Sequence, residues 1–243
     1  MSKLARVIAA FVLAFGLVGG VGAVSAPTAS AYDWKRELAS GDTGADVKEL
    51  QIRIAGFAAD GPEKTSLKAD GDFGPATEAA LKRFQKAHGL TQSGKVDGAT
   101  QDKLNSLEDS DGSTKNFEFK EFASKDCGCF TNGKVGESEV KENVRQLMWK
   151  LEAIRTKAGD KPITVNSGFR TRSHNSSVGG ASNSQHMYGI AGDIVVSGKS
   201  PSQTADLAKS SGFSGVIIYN SFTHVDSRAD HDYGSSSFYW ANA

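Results

Sequence analysis

Cysteine is nearly absent: the 243-residue chain has two, Cys127 and Cys129, within Asp126-Cys127-Gly128-Cys129. Two cysteines so close together cannot tie distant segments, which excludes a disulfide framework. A lone C-x-C also offers too few ligands for a structural zinc site. What remains is a local loop clip, closed as a small-ring disulfide in an oxidising exterior, or a pair of free thiols. Net charge is lacking as well, since 28 Lys and Arg balance 28 Asp and Glu. Nucleic-acid binding demands a basic stripe that neutralises phosphates, so nucleic acid is not an expected partner. Any polymer this chain holds is held by local contacts. Long apolar runs are missing beyond residue 24, and nothing after that point can span a bilayer.

The one apolar run lies at the start, where Lys3 and Arg6 precede Val7 to Val24 and the small-residue triplet Ala29-Ser30-Ala31 follows. That order of charge, apolar core and A-x-A site is the pattern of a secretory signal peptide. Residues 1–31 are therefore expected to be removed after Ala31. The mature protein is then secreted, without stable membrane association, and is expected to be a monomer.

From Tyr32 to Leu107 the pattern is helical and partly repeated. Gly44-Ala45-Asp46-Val47 and Gly74-Pro75-Ala76-Thr77 each lead from a glycine turn into a short amphipathic helix. Val47, Leu50 and Ile54 share one helical face, as do Ala80, Leu81 and Phe84. A third turn, Val96-Asp97-Gly98-Ala99-Thr100, leads towards Leu104 and Leu107, predicting a small all-α three-helix bundle over 32–107. Asp70 and Gly71 suit a tight turn, Phe73 can staple it to the core, and Pro75 suits the first helical position. The stretch Ala69-Asp70-Gly71-Asp72-Phe73-Gly74-Pro75-Ala76-Thr77, followed by Leu81-Lys82-Arg83-Phe84-Gln85-Lys86, resembles the peptidoglycan-binding type 1 domain. The resemblance implies association with the cell wall, through either glycan or stem peptide.

Residues 108–115, Glu-Asp-Ser-Asp-Gly-Ser-Thr-Lys, are polar and aperiodic and read as a linker. Beyond it, over 116–243, Val140, Val144, Leu147, Met148, Leu151 and Ile154 form a helical stripe. Short β-rich runs follow at 163–165, 194–196, 216–219 and 222–225, and Ser200-Pro201 starts a further helix that continues through Leu207. A long helix with several short strands predicts an α+β domain with a small, mainly antiparallel sheet.

Histidine is scarce and unevenly placed. His88 ends a helix in the first module, while His174, His186, His224 and His231 lie in the second among Ser, Asn, Gly and Asp. His186 and Asp193 belong to Ser184-Gln185-His186-Met187-Tyr188-Gly189-Ile190-Ala191-Gly192-Asp193, which satisfies S-x-H-x-x-G-x-A-x-D. Asp193 enters an apolar strand, where a lone carboxylate is costly to bury and a metal would supply its partner. In Phe222-Thr223-His224-Val225-Asp226, strand alternation puts His224 and Asp226 on one face. Two imidazoles and one carboxylate, His186, His224 and Asp193, make three ligands for one zinc ion and leave its fourth position open, as catalysis requires. His174 and His231 read as loop residues.

These residues, with Ser167-Gly168-Phe169-Arg170 upstream, resemble the zinc D-Ala-D-Ala carboxypeptidase family over about residues 117–240. The resemblance implies that His186, Asp193 and His224 hold zinc and that Arg170 touches the substrate. It implies a zinc metallopeptidase acting on D-alanine-containing wall peptides as a carboxypeptidase; cutting cross-links or stem peptides as an endopeptidase is the alternative, and an inactive wall-binding protein is another. Ser221 stands where many members have the acidic general base. Asp226 either replaces that base or orients an imidazole from behind the metal.

Overall fold

The computed structural model describes residues 32–233 and 235–243, so the expected signal peptide lies outside the described residues. The first helix, α1 (Ala45–Ile54), runs into a 3-10 turn at Ala55–Phe57 and is followed by α2 (Pro75–Ala87) and α3 (Gly98–Asn105). Val47, Leu50, Ile54, Ala80, Leu81 and Phe84 are buried, as their spacing predicts. The region is helical as expected, and α3 reaches the shared core of α1 and α2 through Leu104. α3 has eight residues and buries Thr100 and Leu104 of them. It is also tied down through its neighbours: Gln101 donates to the Arg36 carbonyl and the Trp34 indole donates to Asn105.

The repeat seen in the sequence has a structural counterpart. The buried Gln51 amide accepts from the Gly71 N–H at 2.8 Å and donates to the Thr77 hydroxyl at 3.1 Å. Gln85 does the same with Gly94 at 3.0 Å and Thr100 at 3.1 Å. Each glutamine closes the loop that feeds the next helix, meeting polar demands that burial would otherwise leave open. Gly71 turns at φ +83, with the Gly44 carbonyl 3.2 Å from where a Cβ would sit, so the Asp-Gly pair is needed there.

Residues 108–115 are not an open tether. Lys115 N–H donates to the Leu107 carbonyl at 2.8 Å, Asp109 N–H to the Ser113 carbonyl at 2.8 Å, and Ser113 and Thr114 are buried. The chain then forms α4 (Phe119–Phe122) and the long α5 (Glu137–Lys157), whose whole expected stripe is buried. α5 is also where the first module docks. Its Arg145 pairs with Glu49 through two bonds of 2.9 Å, and its Trp149 ring lies 5.0 Å from the guanidinium of Arg53. Arg53, itself buried, pairs with Glu49 and Glu108. Gly56 permits the closest approach: a Cβ there would lie 2.3 Å from that of Ala153. Gly56→Val is expected to cost about 1–3 kcal/mol by overpacking, read as a lower urea midpoint for the full chain.

The remaining elements are β1 (Ile163–Ser167), α6 (Arg172–Ser177), a 3-10 turn at Gln185–Tyr188, β2 (Ala191–Val196), α7 (Pro201–Ser210), β3 (Gly215–Ile218), β4 (Thr223–Asp226), a 3-10 turn at Arg228–Asp230 and β5 (Tyr239–Asn242). α7 starts as expected, with Ser200 and Gln203 forming a reciprocal cap ahead of Pro201. The five strands form one sheet in the order β1-β2-β4-β3-β5. The expected mainly antiparallel sheet is instead mixed, because β5 returns to pair parallel with β3. That strand has four residues and no clear alternation; the path of the chain after β4 sets its direction. α5 and α7 cover one face of the sheet through Ile194, Val196, Val216 and Val225. The Cys127–Cys129 disulfide closes a single turn. No helix among the described residues is long and apolar enough to cross a membrane.

Candidate metal centre

Strand register brings the candidate residues together. Ser167 of β1, Asp193 of β2, His224 of β4 and Ile217 of β3 stand opposite one another in a row across the sheet. The alternation of β4 places His224 and Asp226 on the face away from the helices, while Val225 joins the core. His186 arrives from outside the sheet, on the 3-10 turn that Gly189 ends at φ +79. A Cβ at Gly189 would sit 2.8 Å from the Val140 carbonyl, so glycine there lets the turn lie against α5.

His186 Nδ1–H donates to the Gly168 carbonyl at 2.6 Å, which fixes its tautomer and turns Nε2 inward. Nε2 lies 3.2 Å from Asp193 Oδ1 and 3.2 Å from His224 Nδ1, and the third side, His224 Nδ1 to Asp193 Oδ1, is 2.9 Å. A tetrahedral ion with bonds near 2.1 Å keeps neighbouring donors about 3.4 Å apart. This triangle therefore fits one zinc ion with little movement. All three residues are buried, and among the described residues they form the one group of His, Cys, Asp or Glu donors with such spacing.

Electrostatics follow from that crowding. Burial disfavours the imidazolium of His186 and lowers its pKa despite Asp193. Burial also opposes charge on His224, but Asp193 and Asp226, one on each ring nitrogen, outweigh it and push its pKa up to about 9. Burial works against the Asp193 carboxylate too, yet the two histidines beside it hold it well below the usual range. Arg170 holds the other oxygen of this carboxylate: its Nη2 donates to Asp193 Oδ2 at 2.6 Å and its Nε to Ser167 Oγ at 2.9 Å.

Asp226 is fully buried behind His224. Its Oδ2 lies 3.1 Å from His224 Nε2, the nitrogen facing away from Asp193, and Arg228 grips both oxygens at 2.6 and 2.8 Å. Arg228 escaped the sequence reading, although Asp226-Ser227-Arg228 carries the signal of an acid beside a base. Ser221 is exposed in the β3–β4 turn. His174 lies on α6 and His231 at the seam between the modules, both outside the cleft beside the triangle. That cleft has a volume of about 430 Å³. Arg170 and Arg228 line it, Asn183 is at its rim, and the stacked rings of Tyr219 and Phe222, 4.5 Å apart, form an apolar wall.

Residues 115–226 match the family model Peptidase M15, and residues 43–104 match a peptidoglycan binding domain. The chain is 41% identical to the zinc D-Ala-D-Ala carboxypeptidase of Streptomyces albus G, over 84% of this chain and 86% of that protein. The chain belongs to the peptidase M15 family. In this M15 peptidase the matched region spans α5, the sheet through β4 and all three zinc-competent side chains.

Proposed function

We propose that this M15 peptidase is a secreted, wall-associated zinc D-Ala-D-Ala carboxypeptidase whose ion is held by His186, Asp193 and His224. In this reading residues 32–107 bind the wall, 108–115 connect, and 116–243 hydrolyse. The triangle of donor atoms, with sides of 3.2, 3.2 and 2.9 Å and one cleft beside it, carries the assignment. Zinc at such a site supplies Lewis acidity to the scissile carbonyl and acidifies a water towards neutral pH.

The chain's own residues do the rest. Gly168 holds His186 in the tautomer that presents Nε2, and Arg170 fixes the carboxylate of Asp193 through its second oxygen. From the wall of the cleft, the Arg170 guanidinium is suited to a terminal carboxylate or to the oxyanion that forms as the peptide bond is attacked. For Asp226 the supported role is orientation: with both oxygens engaged and no exposure, it holds the His224 ring instead of reaching into the cleft. Asp226→Asn is then expected to lower zinc affinity about 10–100-fold while turnover at saturating zinc changes little. A turnover defect that excess zinc leaves in place would return Asp226 to the role of base.

The activity itself is tested on an acylated tripeptide ending in D-Ala-D-Ala. Terminal D-alanine is released, the release stops with a chelator, and zinc restores it. Chromatography of wall digests that shows cleaved cross-links without released D-alanine would replace the carboxypeptidase with an endopeptidase.

A further inference from the structure

The docked modules enclose a second cavity, of about 410 Å³, away from the zinc-competent residues. Its volume is within the range of small-molecule sites, and no step of the proposed hydrolysis uses it. Lys48, Lys68 and Asp70 line it from the first module; Lys150, Asp230 and Asp232 line it from the second. Three lysines thus face three aspartates, and Lys150 and Asp230 already pair with one another. Asp230 Oδ1 is buried without a hydrogen-bond partner, an acceptor that a ligand hydroxyl or amide would satisfy.

One wall of the cavity is aromatic. His231 and Tyr233 line it, stacked nearly parallel at 5.0 Å, and Tyr188, outside the lining, backs Tyr233 at 4.7 Å. Flat rings beside a dense set of donors and acceptors suit a ligand with apolar C–H faces and hydroxyl edges. The balanced charge disfavours a stem peptide, whose free carboxylates are better served by Arg170 and Arg228 in the other cleft.

We propose that the seam between the modules binds an uncharged amino-sugar unit of the glycan strand. This inference rests on the reading of the wall as substrate. It makes wall recognition a joint property of both modules. The two clefts touch through one contact: Asn183, which lines the zinc-side cleft, accepts from Tyr188 Oη at 2.6 Å and donates at 3.4 Å to the carbonyl of Tyr233, which lines the seam. Glycan held at the seam would present its peptide branches beside the zinc-side cleft.

The test uses the full zinc-loaded chain and glycan strands stripped of stem peptides by an amidase. Ala69→Trp fills the seam from the first module, and His231→Ala removes part of the aromatic wall from the second. Each is expected to weaken co-sedimentation with stripped strands by about tenfold, while hydrolysis of the soluble tripeptide stays within about twofold of the parent. The tripeptide assay and circular dichroism identify a variant that has failed to fold, and the other variant then decides. Unchanged sedimentation of both folded variants overturns the proposal. So does a parent chain that binds intact walls but not stripped strands. A parent that binds stripped strands yet releases no D-alanine would leave the seam standing and defeat the carboxypeptidase reading.

Discussion

His186→Ala is expected to leave a folded chain without stoichiometric zinc and with hydrolysis reduced on the order of 10³-fold or more. Removing one corner of the triangle leaves a single imidazole and a single carboxylate, too few to hold a catalytic ion. The loss falls on metal and rate together because the ring makes no contribution to the apolar core, and its one other bond goes to the Gly168 carbonyl. Metal analysis after gel filtration and the D-alanine assay measure both effects. Full zinc occupancy in the variant would show that the ion is held elsewhere.

Gly215→Ala is expected to reach the same centre through Asp226, which stands opposite Gly215 in the β3–β4 pair and on the same face as His224. A Cβ at Gly215 would sit 2.1 Å from Asp226 Oδ2, the oxygen that supports His224. That carboxylate is fully buried and pinned by Arg228, so it has no room to retreat without turning the imidazole. Zinc affinity should fall about 10–100-fold, as when a ligand's outer partner is removed. Stability should drop by about 1–3 kcal/mol from overpacking. Titration against a competing chelator reads the first and urea unfolding of the zinc-free protein the second. Unaltered zinc affinity would mean that Asp226 is dispensable to the geometry of His224.

Much of this is legible in the amino-acid sequence. The α5 stripe from Val140 to Ile154 was readable because a buried helix imposes a strong 3.6-residue period. His186 and Asp193 were readable because fixed glycine spacing accompanies them, and His224 because alternation along β4 left it facing away from Val225. The unread parts depend on long-range geometry. Arg228 is only two residues from Asp226, but local pattern does not say which way its side chain turns at the end of a strand. β5 pairs by the route the chain takes, and the glutamine clasps join residues whose separations differ, 20 positions for Gln51 to Gly71 and 9 for Gln85 to Gly94. The polar stretch 108–115 reads as a linker from composition, which does not show the bonds that fold it: Asp109 to Ser113, Lys115 to Leu107 and Glu108 to Arg53.

That packed connection limits how the enzyme can work on a solid. A flexible tether lets a catalytic unit sweep a volume around its anchor, with an effective concentration set by linker length. Here Arg53, Arg145 and Gly56 dock the first module on α5, so with that module on the wall, as proposed, the span from attachment point to cut is set by the protein. Each landing on the wall offers only the peptides at that one offset. Progress along the polymer then requires release and rebinding, and an anchor that gripped too tightly would slow turnover on walls while leaving turnover on soluble peptides untouched.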